Sequence, residues 1–515
     1  MPTPSFDAII IGGGVNGLAC AGRLAQAGQK VLVLDAADTP GGGALTAEFA
    51  PGYRVDGLAH LVTHLDARML AALKPEGHGL EWAVGSMATT ALSSDGGHLT
   101  LNGAYGENVQ GLDEDEAQRW AALRGRLLRH TEILRPLREI TPPLPGKGGG
   151  KGNLLALGRA GLNLRRLGRE DMQEFLRMIL INVHDVVQEE LTDDRLRGLL
   201  AFDATLGTFL GPRSPNSLFL LWHRLSGDAG RIRWPRGGMG ALASALAEAV
   251  RAAGAELRCA ARVDRVLSDG DRATGVRLES GEEIAARCVI STANPRTTFL
   301  DLLGARQVET GLVRRLNNIR MRGTAAKLHL ALKGAPDFRG ADLRHRLVIA
   351  PSSDTVENAF NHIKYGEFSP APVMEITCPT AHDSGFAPDG HHVLSIVAQY
   401  APYSLRGGWE AGRDALQAAI LKQLEAHAPG IGELVTAVEL LTPADIAARH
   451  GLVGGSWHQG DLAVEQMLFM RPAVGIARYA TPMPGLWLAG AGSHPGGGIS
   501  GTAGWNAANE ILGAA

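Results

Sequence analysis

"FDAIIIGGGVNGLACAGRLAQAGQKVLVLDAAD", residues 6–38, decides the fold. Asp7 to Ile11 is a short β-branched run of the kind a buried strand needs, and Gly12, Gly14 and Gly17 follow it at G-x-G-x-x-G spacing. "LACAGRLAQAG" reads as a helix that stops at Gly28, and "KVLVLD" reads as a second strand with Asp35 at its carboxyl end. Each part has a physical task in holding a dinucleotide. Gly12 makes the tight turn, Gly14 lets the backbone approach a pyrophosphate, and Gly17 permits close helix–strand packing. The helix N-terminus faces the phosphates, and Asp35 is placed to bond a ribose hydroxyl. Glycines alone would be weak evidence, but strand, turn, helix, strand and acid in this order predict a dinucleotide-binding βαβ unit. FAD and NAD remain open at this point.

Two further glycine clusters extend the pattern. "TPGGGALTAEFAPGYRVDGLAHLV", residues 39–62, places Gly41, Gly42 and Gly43 just beyond the acid, where a second turn suits a long cofactor. "GLWLAGAGSHPGGGISGTAGWNAANEIL", residues 485–512, holds seven glycines between Gly490 and Gly504. Its flanks read as a buried strand and a helix, so these glycines are expected to bring backbone amides close to the same ligand.

Four stretches together resemble the phytoene dehydrogenase-related branch of the FAD-dependent oxidoreductases. That group includes bacterial carotenoid desaturases, a carotenoid ketolase and pyridine nucleotide-disulfide oxidoreductase domain-containing protein 2. The stretches are the front fingerprint, "GGGALT…PGYRVD", "WPRGGMGALASALAEAVRAAGAELRCAARVDRV" (234–266) and the terminal "GLWLAGAGSHPGGGISGTAGWNAA". "GSWHQGDLAVEQMLFMRP", Gly455 to Pro472, fits the same branch. The resemblance implies FAD as cofactor. It implies contacts from Gly12, Gly14, Asn16, Gly17, Asp35, Gly42, Gly43, Ala44, Gly490, Gly492, His494, Gly498, Ile499 and Gly501, with Val263 beside the adenine. Asp35 stands where such enzymes more often carry Glu. The implied fold is a Rossmann-like α/β FAD-binding domain with an inserted α+β substrate domain. Residues 1–90, 225–300 and 480–515 would form the first, and 91–224 and 301–479 the second.

The bulk properties agree with a large soluble enzyme. At 515 residues, 45% apolar and net charge −3, the chain offers no general attraction to nucleic acid. The four cysteines, Cys20, Cys259, Cys288 and Cys378, form no C-x-x-C, which argues against a redox dithiol or a cysteine-based zinc site and suits a reducing compartment. The start of the sequence lacks a basic n-region, so the cytoplasm is the expected location. No second strand-plus-glycine unit offers an NAD(P)H site, so electrons are expected to leave to oxygen, a quinone or another diffusible acceptor. The absence of H-E-x-x-H and G-x-S-x-G leaves metal and hydrolytic chemistry without support.

Leu196 to Leu225 is rich in apolar, aromatic and small residues and reads either as plain core helices or as the wall of a hydrophobic tunnel. Residues 145–170 carry Lys147, Lys151, Arg159, Arg165, Arg166 and Arg169 before any acid, with Leu154, Leu157 and Leu164 at near-helical spacing. This segment reads either as a solvated lid or as a peripheral contact with an anionic membrane.

The expected reaction is oxidation of an apolar substrate, such as a polyene or isoprenoid, by desaturation, isomerisation or oxygenation. An amine or amino-acid oxidase, and a flavoprotein with mainly a binding role, are the alternatives. Candidate groups near the flavin are His60, Gln466 and Arg471, with His458, Glu465 and His494 the candidates for acid–base work.

Overall fold

In the computed structural model the described residues are 5–142, 151–228 and 230–514. The first sheet is built from segments far apart in the chain. Glu256–Arg258, Val31–Leu34, Phe6–Ile11, Glu283–Ser291 and Leu486–Leu488 lie side by side and parallel. Ile10 pairs with Val33 on one side and Ile290 on the other. Every residue of Val31–Leu34 is buried, as a parallel strand covered on both faces requires. Glu283–Ser291 does double duty. Its early residues pair antiparallel with Ala273–Leu278, which continues to Val263–Ser268, while Val289 pairs with Leu486.

Helices Val15–Gln26, Met239–Ala252 and Thr502–Ala514 cover one face of this sheet, burying Leu18, Leu24, Leu242, Leu246 and Trp505 against Ile10 and Val33. The opposite face, with Ile9, Ile11, Leu32 and Leu34, packs with the antiparallel strands and with Phe299, Leu312 and Leu316. Fully burying one such side chain contributes roughly 1.5–3 kcal/mol.

The second sheet has eight strands in the order Val435–Leu441, Ala325–Leu332, His392–Gln399, Val373–Thr377, Arg346–Ile349, Thr89–Ala91, Leu99–Asn102 and Asn108–Gln110. All pairings are antiparallel except that of Arg346–Ile349 with Thr89–Ala91. Thr89–Ala91, which spans the expected border at residue 90, therefore joins the second sheet. The fold has the Rossmann-like α/β plus α+β character that the sequence predicts.

Leu196 to Leu225 takes in most of helix Asp194–Asp203 and all of helix Leu218–Leu225. Most of its large side chains, Leu199, Leu200, Phe202, Leu221 and Trp222 among them, are core. Of the basic segment, 145–150 fall outside the described residues, as do the side chains of Leu154 and Leu157. Helix Lys151–Arg166 packs Leu164 towards the core, while Leu162 is half exposed. Among the described residues no helix is long and apolar enough to cross a membrane.

Candidate active site

Gly12 turns the chain out of the first strand with φ +99°. A Cβ at Gly17 would collide with the Gly12 carbonyl oxygen, so glycine alone lets the helix start that close to the strand. Helix Val15–Gln26 begins with no side-chain cap and no acid in its first turn. Its leading N–H groups, and the positive end of its dipole, are therefore available to an anion. Asp35 ties the turn down: Oδ2 accepts from the Gly13 N–H at 2.7 Å and Oδ1 from Ala37 N–H at 2.8 Å. The second glycine cluster docks directly on the first, with Gly41 N–H donating to the Gly13 carbonyl at 2.9 Å.

A cavity of about 510 Å³ runs along these turns. Gly12, Gly14, Asn16, Gly17, Asp35, Gly42, Gly43 and Val263 line one end. Gly490, Gly497, Gly498 and Ile499 line its continuation. Beyond them the wall changes character to Asp203, Arg224, Glu375 and five histidines, His60, His64, His223, His450 and His458, interleaved with Leu206, Leu220, Val397, Leu452 and Trp457. Asn16 Oδ1 is buried with no hydrogen-bond partner among the described residues.

Not every glycine of the terminal cluster serves this cavity. Gly492 and Gly501 lie off its lining, and added Cβ atoms there would strike Pro295 and Met69. Gly504 faces the Asn16 backbone instead. The cluster thus reconciles close packing with a backbone that reaches the cavity at only a few positions. Ala44 is fully buried and also off the lining.

The acid–base candidates separate in space. His458 lines the cavity, accepts from Trp457 Nε1 at 2.9 Å through Nε2, and has no partner for Nδ1 among the described residues. Burial, helped by Arg471, pushes its pKa down to about 3, so it is neutral. Glu465 does not join it: its side chain is about half exposed and paired with Arg320. His494 is buried but off the lining, with Nε2 2.7 Å from the Leu137 carbonyl. Gln466 holds the Arg320 backbone N–H at 2.8 Å. Arg471 is a clasp: its guanidinium donates to the carbonyls of His458 at 2.6 Å and Ala491 at 2.8 Å, joining two loops that flank the cavity.

His60 leads into a charged network that the sequence motifs do not reveal. Its Nε2 donates to Glu375 Oε1 at 2.7 Å, while Lys327 Nζ lies 3.0 Å from Nδ1 and 2.9 Å from Ser395 Oγ. Glu375 also pairs with Arg346, whose Nη2 is 2.5 Å from Asp203 Oδ1. Tyr105 donates its hydroxyl to Asp203 at 3.1 Å. Burial and then Lys327 lower the His60 pKa to about 4, and burial drops Lys327 to about 7. Burial alone would raise Glu375, but Arg346 and His60 outweigh it and hold the carboxylate well below its usual range. A neutral His60 between an ammonium and a carboxylate follows. The detectable signal was a charge inside an otherwise apolar run, Lys327 in "AAKLHLAL" and Glu375 in "VMEIT".

Comparison with known proteins completes the assignment. The family model for flavin containing amine oxidoreductases matches residues 16–512. The chain belongs to that family. Pyridine nucleotide-disulfide oxidoreductase domain-containing protein 2 of Rattus norvegicus is 30% identical, with 99% of this chain and 94% of the relative aligned. The lycopene-forming phytoene desaturase of Pantoea ananas is 27% identical, with 96% of each covered. Among solved structures, a putrescine oxidase variant superposes with TM-score 0.62 at 15% identity, covering 100% of this chain and 99% of that one, a likeness of fold. The protein is an FAD-dependent oxidoreductase of the amine oxidase and phytoene desaturase superfamily. The uncapped helix, beside which Asn16 Oδ1 is buried and unpartnered among the described residues, and the glycine-lined cavity fit FAD.

Proposed function

We propose that this enzyme oxidises a substrate with an apolar body, by desaturation, isomerisation or oxygenation. One observation carries the reading: a single cavity continues from the dinucleotide turns to a wall containing Leu206, Leu220, Val397, Leu452 and Trp457. The flavin, when bound, accepts the hydride. Gly12, Gly14, Asn16 and Gly17 would hold the pyrophosphate, Asp35 the ribose and Val263 the adenine side. Gly490, Gly497, Gly498 and Ile499 would border the flavin. His458, neutral and with Nε2 accepting from Trp457, carries its proton on Nδ1 and is our candidate to donate a hydrogen bond to the substrate; Glu465 and His494 are placed elsewhere. Oxygen or a quinone would reoxidise the flavin.

The amine-oxidase reading is weaker here, because Trp457 is the single Phe, Tyr or Trp in the described lining, which gives no aromatic cage. Anaerobic mixing of the FAD-loaded protein with polyenes and with amines tests the proposal. Bleaching by polyenes supports it; bleaching by amines alone overturns it. Delivery from a membrane surface is part of the same proposal. Exposed Arg159, Arg165, Arg166 and Arg169 adjoin in sequence Leu162, Leu176 and Leu180, which are 46%, 50% and 65% exposed. Salt-sensitive co-flotation with phosphatidylglycerol vesicles checks it.

A further inference from the structure

The charged end of the cavity is unbalanced in a specific way. Its two carboxylates are already engaged. Asp203 receives Tyr105, Arg346 and, at 3.3 Å from its Oδ1, Arg224 Nη1. Glu375 receives His60 and Arg346. The donors are not matched in return. Arg224 lines the cavity, yet its Nε and Nη2 are buried without a hydrogen-bond partner among the described residues. His64, also on the lining, has Nε2 unpartnered, and its Nδ1 meets Thr63 Oγ1 at 3.0 Å.

A second buried arginine stands behind this wall. Arg138 donates to Ser226 Oγ at 2.6 Å, leaves Nε unpartnered, and has no carboxylate within ion-pair distance among the described residues. Burial and then Arg138 hold both His64 and His223 well below the ordinary histidine value, with Arg224 adding to the effect on His64. This end of the cavity thus has spare donors, and its acceptors are taken. A buried guanidinium with unused N–H groups is costly unless something accepts from it.

We propose that Arg224 is a specificity-determining residue that receives a carboxylate on the substrate, with His64 as its neighbour, so that the enzyme takes an apolar acid rather than a bare hydrocarbon or an amine. The inference deepens the proposed function and rests on its placing of the substrate at this end of the cavity. An amine would bring further donors to a wall that already has too many. A carboxylate brings acceptors, and guanidinium–carboxylate pairing is the stronger kind of hydrogen bonding. Arg224 acts here in binding and not in the chemical step.

The test uses the FAD-loaded protein with laurate, lauryl alcohol and methyl laurate as probes, read by perturbation of the flavin spectrum. Laurate should bind saturably and at least roughly tenfold more tightly than the two uncharged probes. Arg224→Met should erase that preference with FAD content unchanged, and Arg224→Lys, which keeps charge but fewer donors, should retain part of it. Equal binding of all three probes, or a laurate affinity indifferent to both variants, overturns the inference. The proposed function fails separately: if polyene hydrocarbons and their acids bleach the flavin equally well, that function stands and the carboxylate site falls. If laurate binds through Arg224 while no polyene bleaches the flavin, the site stands and the function falls.

Discussion

Gly504 is packed against Asn16 so tightly that a Cβ on it would collide with the Asn16 carbonyl group. The contact clamps helix Thr502–Ala514 onto helix Val15–Gln26, and with it the far end of the chain onto the dinucleotide turn.

Gly504→Ala should therefore destabilise the protein by about 1–3 kcal/mol, the usual cost of overpacking. Gly513, in the same helix, faces open space, and Gly513→Ala should be neutral or slightly stabilising. Thermal melts of both variants, with FAD content measured alongside, check the contrast; similar melting points for the two would refute it.

Asp35 holds the glycine turn through Oδ2 and its own following loop through Oδ1. Asp35→Ala removes two charge-assisted hydrogen bonds and, on the proposed placing of FAD, a bond to its ribose, and should weaken FAD binding by roughly tenfold to a hundredfold. Asp35→Asn keeps one acceptor and should fall between. Fluorescence of flavin released on dilution gives the dissociation constants, and unchanged values in Asp35→Ala would count against this role.

Arg346 is completely buried between Asp203 and Glu375. Arg346→Met removes the cation shared by two buried carboxylates and should cost about 3–5 kcal/mol. Urea unfolding should show a lower midpoint for Arg346→Met than for Glu375→Gln, which keeps a hydrogen-bonding group beside His60.

Acid should weaken the fold before it titrates its carboxylates. Burial first, with Lys327, Arg471 and Arg138 as the leading charges, holds His60 near about 4 and His458 and His494 near about 3, against 6.5 when unfolded. Between 6.5 and these values the unfolded chain binds the extra protons. Stability is thus full above 6.5 and falls as pH drops, by about 1.4 kcal/mol per pH unit for each histidine. A urea midpoint that stays level from pH 7 to pH 5 would contradict this.

The dinucleotide half of the molecule was legible because its determinants are local. Gly12, Gly14, Gly17 and Asp35 lie within one strand–helix–strand unit, and their spacing encodes their geometry. The charged half was not. His60 comes from a loop, and Asp203, Arg224, Lys327, Arg346 and Glu375 come from separate helices and strands; nothing in their spacing brings them together. The role of the terminal glycines was legible only in part. Sequence cannot tell a glycine on the cavity wall, such as Gly498, from one that admits a helix, such as Gly504, since both need only the absence of a Cβ.

The parallel sheet has a consequence for biosynthesis. Val289 waits for Leu486, and nearly two hundred residues, including most of the second sheet, emerge from the ribosome between them. At 5–20 residues per second that interval lasts roughly 10–40 s. Throughout it, one edge of Glu283–Ser291 remains without its last partner, and the second sheet has time to assemble first. The nascent chain is thus a half-made enzyme that a chaperone would meet with an open strand edge, and cofactor loading becomes a late event in its maturation.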